Sequence, residues 1–234
     1  MEGYPMADNN QLSKPHLSGP QIKVCGLTRV EDARACIDAG VDAIGLVFYP
    51  PSPRFVEPKR AARIAAAVSG QAVTVGVFVD ETYDTIMRAT EDCALQALQL
   101  HGQESPALIR RLISQRLTVI KALFHTRAPF FKDAAAYDAS AFLLECGRGR
   151  LPGGNAESWQ WQTARNIDRC KPVILAGGLT PENVSTAIRL GSPDAVDVSS
   201  GVESGPGRKQ STKIKAFIDA VTASGNQMAT RRIF

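Results

Sequence analysis

Eight short apolar runs alternate with eight amphipathic stretches between residues 21 and 223, with no insertion long enough for a second domain. That alternation predicts a single (β/α)8 TIM-type barrel, a closed parallel sheet ringed by helices. A doubly wound open sheet fits less well, because the count reaches eight and no G-x-G-x-x-G opens the first helix. The 234 residues fit one such barrel.

Residues 1–20 carry Asn9-Asn10-Gln11, three prolines and little periodicity, and read as a flexible N-terminal extension. They lack the apolar stretch of a secretion signal. The barrel is expected over 21–223. Its strands are read at 22–27, 43–48, 73–79, 97–100, 119–123, 141–144, 173–176 and 195–198, short Val/Ile/Leu-rich runs of the kind that form buried parallel strands. Helices are read at 30–39, 58–68, 82–93, 106–115, 129–137, 159–168, 181–190 and 212–222. Ser105-Pro106 and Thr180-Pro181 each put a hydroxyl at a candidate N-cap and proline at the first helical position. Gly40 and Gly191 stand where C-caps belong. Residues 224–234 read as a frayed C-terminal tail.

Composition narrows the function. Hydrophobic residues make up 44% and charged residues 21%, enough apolar material to exclude a disordered chain. The net charge of +4 comes from scattered basic pairs, which form no stripe for nucleic acid. Five cysteines without a C-x-x-C pair argue against a disulfide framework or structural zinc, and so for a reducing, cytoplasmic setting. No run approaches the ~20 apolar residues of a membrane span.

In such a barrel the chemistry collects at the C-terminal ends of the strands. The polar residues there are Cys25, the segment 49–54 with Arg54, Asp80, Gln99 and His101, Glu145, Gly177-Gly178 and Asp197 with Ser199-Ser200-Gly201; Lys121 lies in the fifth run. Small residues after runs seven and eight let backbone N–H groups approach an anion, and a following helix N-terminus would add a favourable dipole. Gly177, Gly178, Ser199, Ser200 and Gly201 are therefore candidate phosphate ligands. The alternative is that the two glycines only make a tight turn.

Several separated segments resemble phosphoribosylanthranilate isomerase of tryptophan biosynthesis: Lys23-Val24-Cys25-Gly26-Leu27-Thr28, Gly45-Leu46-Val47-Phe48-Tyr49 with Ser52-Pro53-Arg54, Leu98-Gln99-Leu100-His101-Gly102, Ala176-Gly177-Gly178-Leu179 with Pro181-Glu182-Asn183-Val184, and Val196-Asp197-Val198-Ser199-Ser200-Gly201. The resemblance spans about residues 22–221. It implies an Amadori rearrangement of N-(5-phosphoribosyl)anthranilate to the carboxyphenylamino-deoxyribulose phosphate. It implies no cofactor and no metal, a small phosphosugar-anthranilate ligand, and a monomer or homodimer. By resemblance Cys25 is the general base and Arg54 faces the anthranilate carboxylate. On residue type alone, Cys25 reads equally as a small buried hydrophobe. Asp197 is expected near the active centre, as a substrate ligand or as a structural brace. His101 is expected to support the site from its rim.

The chain departs from the family pattern twice. Glu145 stands where the family's general acid is aspartate, one methylene longer, about 1.5 Å. The loop 153–161 keeps Gly153, Gly154 and Trp161 but has Asn155-Ala156 in place of Thr-Gly. These departures leave room for a weakly active or non-catalytic phospholigand-binding paralogue. The isomerase of histidine biosynthesis is a third reading, opposed by a cysteine where that enzyme uses a carboxylate.

Overall fold

A computed structural model describes residues 19–148, 158–167, 170–224 and 230–234. Its eight strands are β1 (Gln21–Cys25), β2 (Ala43–Val47), β3 (Val73–Phe78), β4 (Ala97–Leu100), β5 (Thr118–Phe124), β6 (Ala141–Glu145), β7 (Val173–Leu175) and β8 (Ala195–Val198). They pair in sequence order and all parallel, and β8 returns to β1 to close the barrel. The helices are α1 (Val30–Ala39), α2 (Pro58–Ala67), α3 (Tyr83–Asp92), α4 (Pro106–Ile113), α5 (Val184–Gly191) and α6 (Ser211–Ala223).

Strand alternation divides the core. Inside the barrel, Val75, Ala97, Ile120, Ala122, Leu143, Ile174 and Ala195 form one apolar cluster. Outward-facing Ile22, Ile44, Leu98, Phe142 and Val196 pack with the helices in a second, larger one. The same parity turns Lys121 outward from β5. It is buried there, 2.7 Å from Glu104, so it braces the β4–α4 loop rather than entering the mouth.

Helix termini match the sequence in part. The Ser105 hydroxyl accepts the Leu108 N–H, and Gly40 closes α1 with a left-handed φ of 92°. Thr180 does not cap a helix. Residues 181–183 form a turn in which Asn183 Oδ1 accepts the Thr180 N–H at 2.8 Å, and α5 begins at Val184. Its C-cap is Ser192, one residue beyond the expected Gly191. The helices expected at 129–137 and 159–168 are 3₁₀ segments, Phe131–Ala136 and Trp161–Asn166. Phe130 still bridges to Phe124 of β5, and β6 begins at Ala141. That short connection is spanned by the longer rise per residue of a 3₁₀ turn.

The C-terminus differs from the expected frayed tail. Residues 230–234 return to the base of the barrel. Gln21 Oε1 accepts the Ile233 N–H at 2.6 Å, and Ile233 and Phe234 pack against the interior cluster. Arg231 pairs with Asp194 at 2.9 Å, and the same Asp194 oxygen accepts the β7 Val173 N–H. The expected N-terminal extension lies outside the described residues except at 19 and 20.

Candidate active site

The ends of β1, β2, β3, β4, β6, β7 and β8 enclose one pocket at the barrel mouth, bordered by Cys25, Arg54, His101, Glu145, Gly177-Gly178 and Asp197 with Ser199-Ser200. Passing round the closed sheet from β6, these groups come in the order Glu145, Gly177-Gly178, Ser199-Ser200, Cys25, Arg54. The two small-residue loops thus lie on the arc between the carboxyl and the thiol, with Arg54 beyond the thiol.

Cys25 is the last residue of β1 and is 8% exposed, enough to be reached from the pocket. Its sulfur has room because β2 supplies Gly45. A Cβ there would stand 2.6 Å from Sγ. Lys23 precedes it by two residues on the same face of the strand. In the β1–β8 register Lys23 lies opposite Asp197, and its Nζ is 3.0 Å from Asp197 Oδ2. Burial would lower the Lys23 pKa, but Asp197 and then Cys25 outweigh it, and the ammonium is held above its ordinary range. For Cys25, burial pushes the thiol up; Lys23 and Lys209 pull it back, while Asp197 adds to the push. The resting group is a thiol whose conversion to thiolate depends on the two lysines.

This arrangement predicts the outcome of Lys23→Met. Losing the ammonium moves the Cys25 titration to higher pH. At neutral pH kcat/KM should fall about tenfold for every pH unit the titration moves, and it should recover as the pH is raised. Leaving the buried Asp197 carboxylate alone should also cost about 3–5 kcal/mol in a denaturant titration. The double variant with Asp197→Asn should regain most of that stability. Its pH profile should still be displaced to the alkaline side, by less, because the pull of Lys23 on the thiol exceeds the push of Asp197. An unchanged pH profile in Lys23→Met would separate Lys23 from the thiol.

Arg54 has a partner within the chain. Its Nε and Nη2 donate to both oxygens of Glu203 at 2.9 and 2.8 Å. Glu203 Oε1 also accepts from Lys209 Nζ at 2.7 Å. Although burial opposes it, Arg54 and Lys209 hold the Glu203 carboxyl below its ordinary range. Arg54 remains in the pocket wall as a positive charge.

On the opposite side Glu145 ends β6 and is 8% exposed. Its Oε2 lies 2.9 Å from His101 Nε2, and Gln99 Nε2 lies 2.8 Å from His101 Nδ1. The extra methylene of Glu145 is therefore used in reaching the β4 side of the mouth. Trp159 stands at the rim, donating from Nε1 to the Ala176 carbonyl at 2.8 Å. Residues Gly153 to Ala156 of the altered loop lie outside the described residues.

The small-residue loops approach closely. Gly177 and Gly178 both take left-handed φ values, 86° and 66°. Among the described residues their N–H groups donate to no protein acceptor. A Cβ on Gly201 would collide with the Leu179 carbonyl oxygen, so the β8 loop can lie against the β7 loop only with glycine there. Asn183 Nδ2 donates to the Gly178 carbonyl at 2.8 Å and fixes the β7 loop from behind. A second cavity opens between the loops, bordered by Gly178, Ser200, Gly201 and Lys213. The expected helix dipole is small here: the element starting at Ser200 is a three-residue 3₁₀ turn, and α5 begins only at Val184.

Every candidate catalytic and binding residue chosen from the sequence thus borders this pocket or the cavity beside it. The sequence alone assigns no role to Lys23, Gln99, Asn183, Glu203 or Lys209. Lys23 had a signal, its i, i+2 relation to Cys25 on a buried strand. Glu203 and Lys209 had none, since the loops that join them to Arg54 follow no period. Among the described residues no group of three or more His, Cys, Asp or Glu is arranged to hold a metal ion, and no helix is long and apolar enough to cross a membrane.

A parallel eight-stranded barrel that sets a thiol and a carboxyl across one pocket, beside two glycine- and serine-lined loops, defines an α/β-barrel isomerase. Comparison with known proteins narrows the class. The chain belongs to the N-(5'-phosphoribosyl)anthranilate isomerase family, whose model matches residues 22–220. It is 51% identical over 214 residues to the enzyme of that name from Desulfatibacillum aliphaticivorans, covering 92% of this chain and 98% of the relative. Among solved structures it matches phosphoribosyl anthranilate isomerase from Thermotoga maritima at 38% identity and a TM-score of 0.80, covering 87% of this chain and 99% of that one. It also matches a phosphoribosyl anthranilate isomerase in complex with reduced 1-(o-carboxyphenylamino)-1-deoxyribulose 5-phosphate, at 38% identity and a TM-score of 0.76, covering 87% and 99%.

Proposed function

We propose that this protein catalyses the Amadori rearrangement of N-(5'-phosphoribosyl)anthranilate to 1-(2-carboxyphenylamino)-1-deoxyribulose 5-phosphate in tryptophan biosynthesis, with Cys25 as base and Glu145 as acid. The observation that carries the assignment is the order of groups round the mouth. Phosphate at the β7 and β8 loops, bound by Gly177, Gly178, Ser199, Ser200 and Gly201, leaves the ribose between Cys25 and Glu145. The anthranilate carboxylate then extends toward Arg54, which recognises it by charge from the guanidinium that Glu203 steadies.

The chemistry needs one acid and one base. Glu145 gives its proton to the furanose ring oxygen. The C1–O bond breaks, and the nitrogen lone pair forms the protonated Schiff base. The Cys25 thiolate takes the proton from C2, and the electron pair left behind neutralises the iminium nitrogen to give the enolamine. The Cys25 thiol returns its proton to C1 while the Glu145 carboxylate takes the proton of the C2 hydroxyl, which yields the aminoketose and restores both groups. Lys23 and Lys209 favour the thiolate, and Asp197 acts as a brace, holding Lys23 with Oδ2 at 3.0 Å.

The ligand is a small phosphosugar-anthranilate, and the protein acts as a monomer or a homodimer in the cytoplasm. The test is complementation. A bacterial strain lacking this isomerase should grow without tryptophan when it expresses the chain, and failure to grow at normal soluble expression would contradict the assignment.

A further inference from the structure

His101 links two pocket residues through its two ring nitrogens: Gln99 Nε2 meets Nδ1 at 2.8 Å, and Glu145 Oε2 meets Nε2 at 2.9 Å. An amide N–H facing Nδ1 makes that nitrogen an acceptor, and the neutral ring then carries its proton on Nε2. Nε2–H therefore donates to Glu145 Oε2. A carboxylic acid whose Oε2 is taken as an acceptor carries its own proton on Oε1. We propose that His101 is the positioning residue for Glu145 and that Gln99 sets its tautomer, so that the acid proton lies on the oxygen turned away from His101. The inference rests on the reading of Glu145 as the acid.

The surroundings suit a fixed ring. His101 follows β4, its N–H donates to the Phe78 carbonyl at 2.8 Å, and its ring meets Phe124 edge-on at 5.4 Å. The next residues are pinned by Glu104. One of its oxygens accepts the N–H groups of Gly102 and Asp80 at 2.9 and 3.1 Å, and the other is 2.7 Å from the buried Lys121 Nζ. An imidazole held by Gln99 and Phe124 on a backbone tied to Phe78 can hold a carboxyl that a longer glutamate side chain would otherwise let swing. When the proton leaves Oε1 for the ring oxygen, Nε2–H already faces the carboxylate that forms, and the protein need not reorganise.

The experiment combines a spectrum with kinetics. In a long-range 1H–15N correlation spectrum of the labelled intact protein, His101 should show a protonated Nε2 and a bare Nδ1. Gln99→Glu should move the proton to Nδ1 and lower kcat. His101→Leu should lower kcat about 10²-fold, the cost of a misplaced acid, with little change in KM. His101→Gln, which keeps an N–H donor, should recover part of that loss. A protonated Nδ1 with a bare Nε2 in the parent protein would overturn the proposal without any variant having to fold. Parent-level kcat in His101→Leu, with Glu145→Gln inactive, would overturn it while leaving Glu145 as the acid. Full activity in Glu145→Gln would remove the acid reading itself, and the positioning role with it.

Discussion

Cys25→Ala is expected to abolish measurable turnover while leaving binding of the reduced product analogue largely intact. Removing a positioned base costs about 10²–10⁴ in rate, and the polar groups nearest the thiol are engaged with one another, Lys23 with Asp197 and Lys209 with Glu203. Alanine fills less of the gap beside Gly45, so the pocket loses a contact rather than gaining a clash. The phosphate loops and Arg54 lie on other strands and should hold the analogue as before. Steady-state kinetics and an analogue titration check both halves. Turnover near the parent rate would remove Cys25 from the mechanism, whereas loss of analogue binding would make it a packing residue.

The second large effect is expected from Glu145→Gln. The amide has the size of the carboxyl and its oxygen can still accept from His101, so the fold and KM should change little. It cannot give a proton to the ring oxygen, and kcat should fall by about 10²–10⁴. The pair of results distinguishes this account from a binding paralogue. In a protein that only binds the phospholigand, neither substitution has a turnover to remove.

The barrel was legible because its signals are periodic and repeated. Buried parallel strands are short apolar runs, and eight of them leave one closed architecture. The 3₁₀ segments at Phe131–Ala136 and Trp161–Asn166 were not, because 3₁₀ and α turns share the same composition and differ by the distance to be spanned. The docked C-terminus was hidden for a related reason. Ile233 and Phe234 are too few to form a pattern, and Arg231 acquires meaning only when Asp194 is seen beneath it. Within the site, Cys25, Arg54, Glu145 and the two loops could be found, since each stands at a strand end within a specific motif. Their electrostatics could not. The pairing of Arg54 with Glu203, 149 residues away, is a tertiary fact that no local pattern carries. The longer side chain of Glu145 looked like a defect in sequence. In the structure its length meets His101.

The most direct test is the fluorescence time course of phosphoribosylanthranilate, generated in place, with the purified protein, the product being identified by co-elution with authentic aminoketose. The account predicts loss of fluorescence well above spontaneous hydrolysis, with the aminoketose as the product. Fluorescence that decays no faster than without protein, while the reduced product analogue still binds tightly, would contradict it.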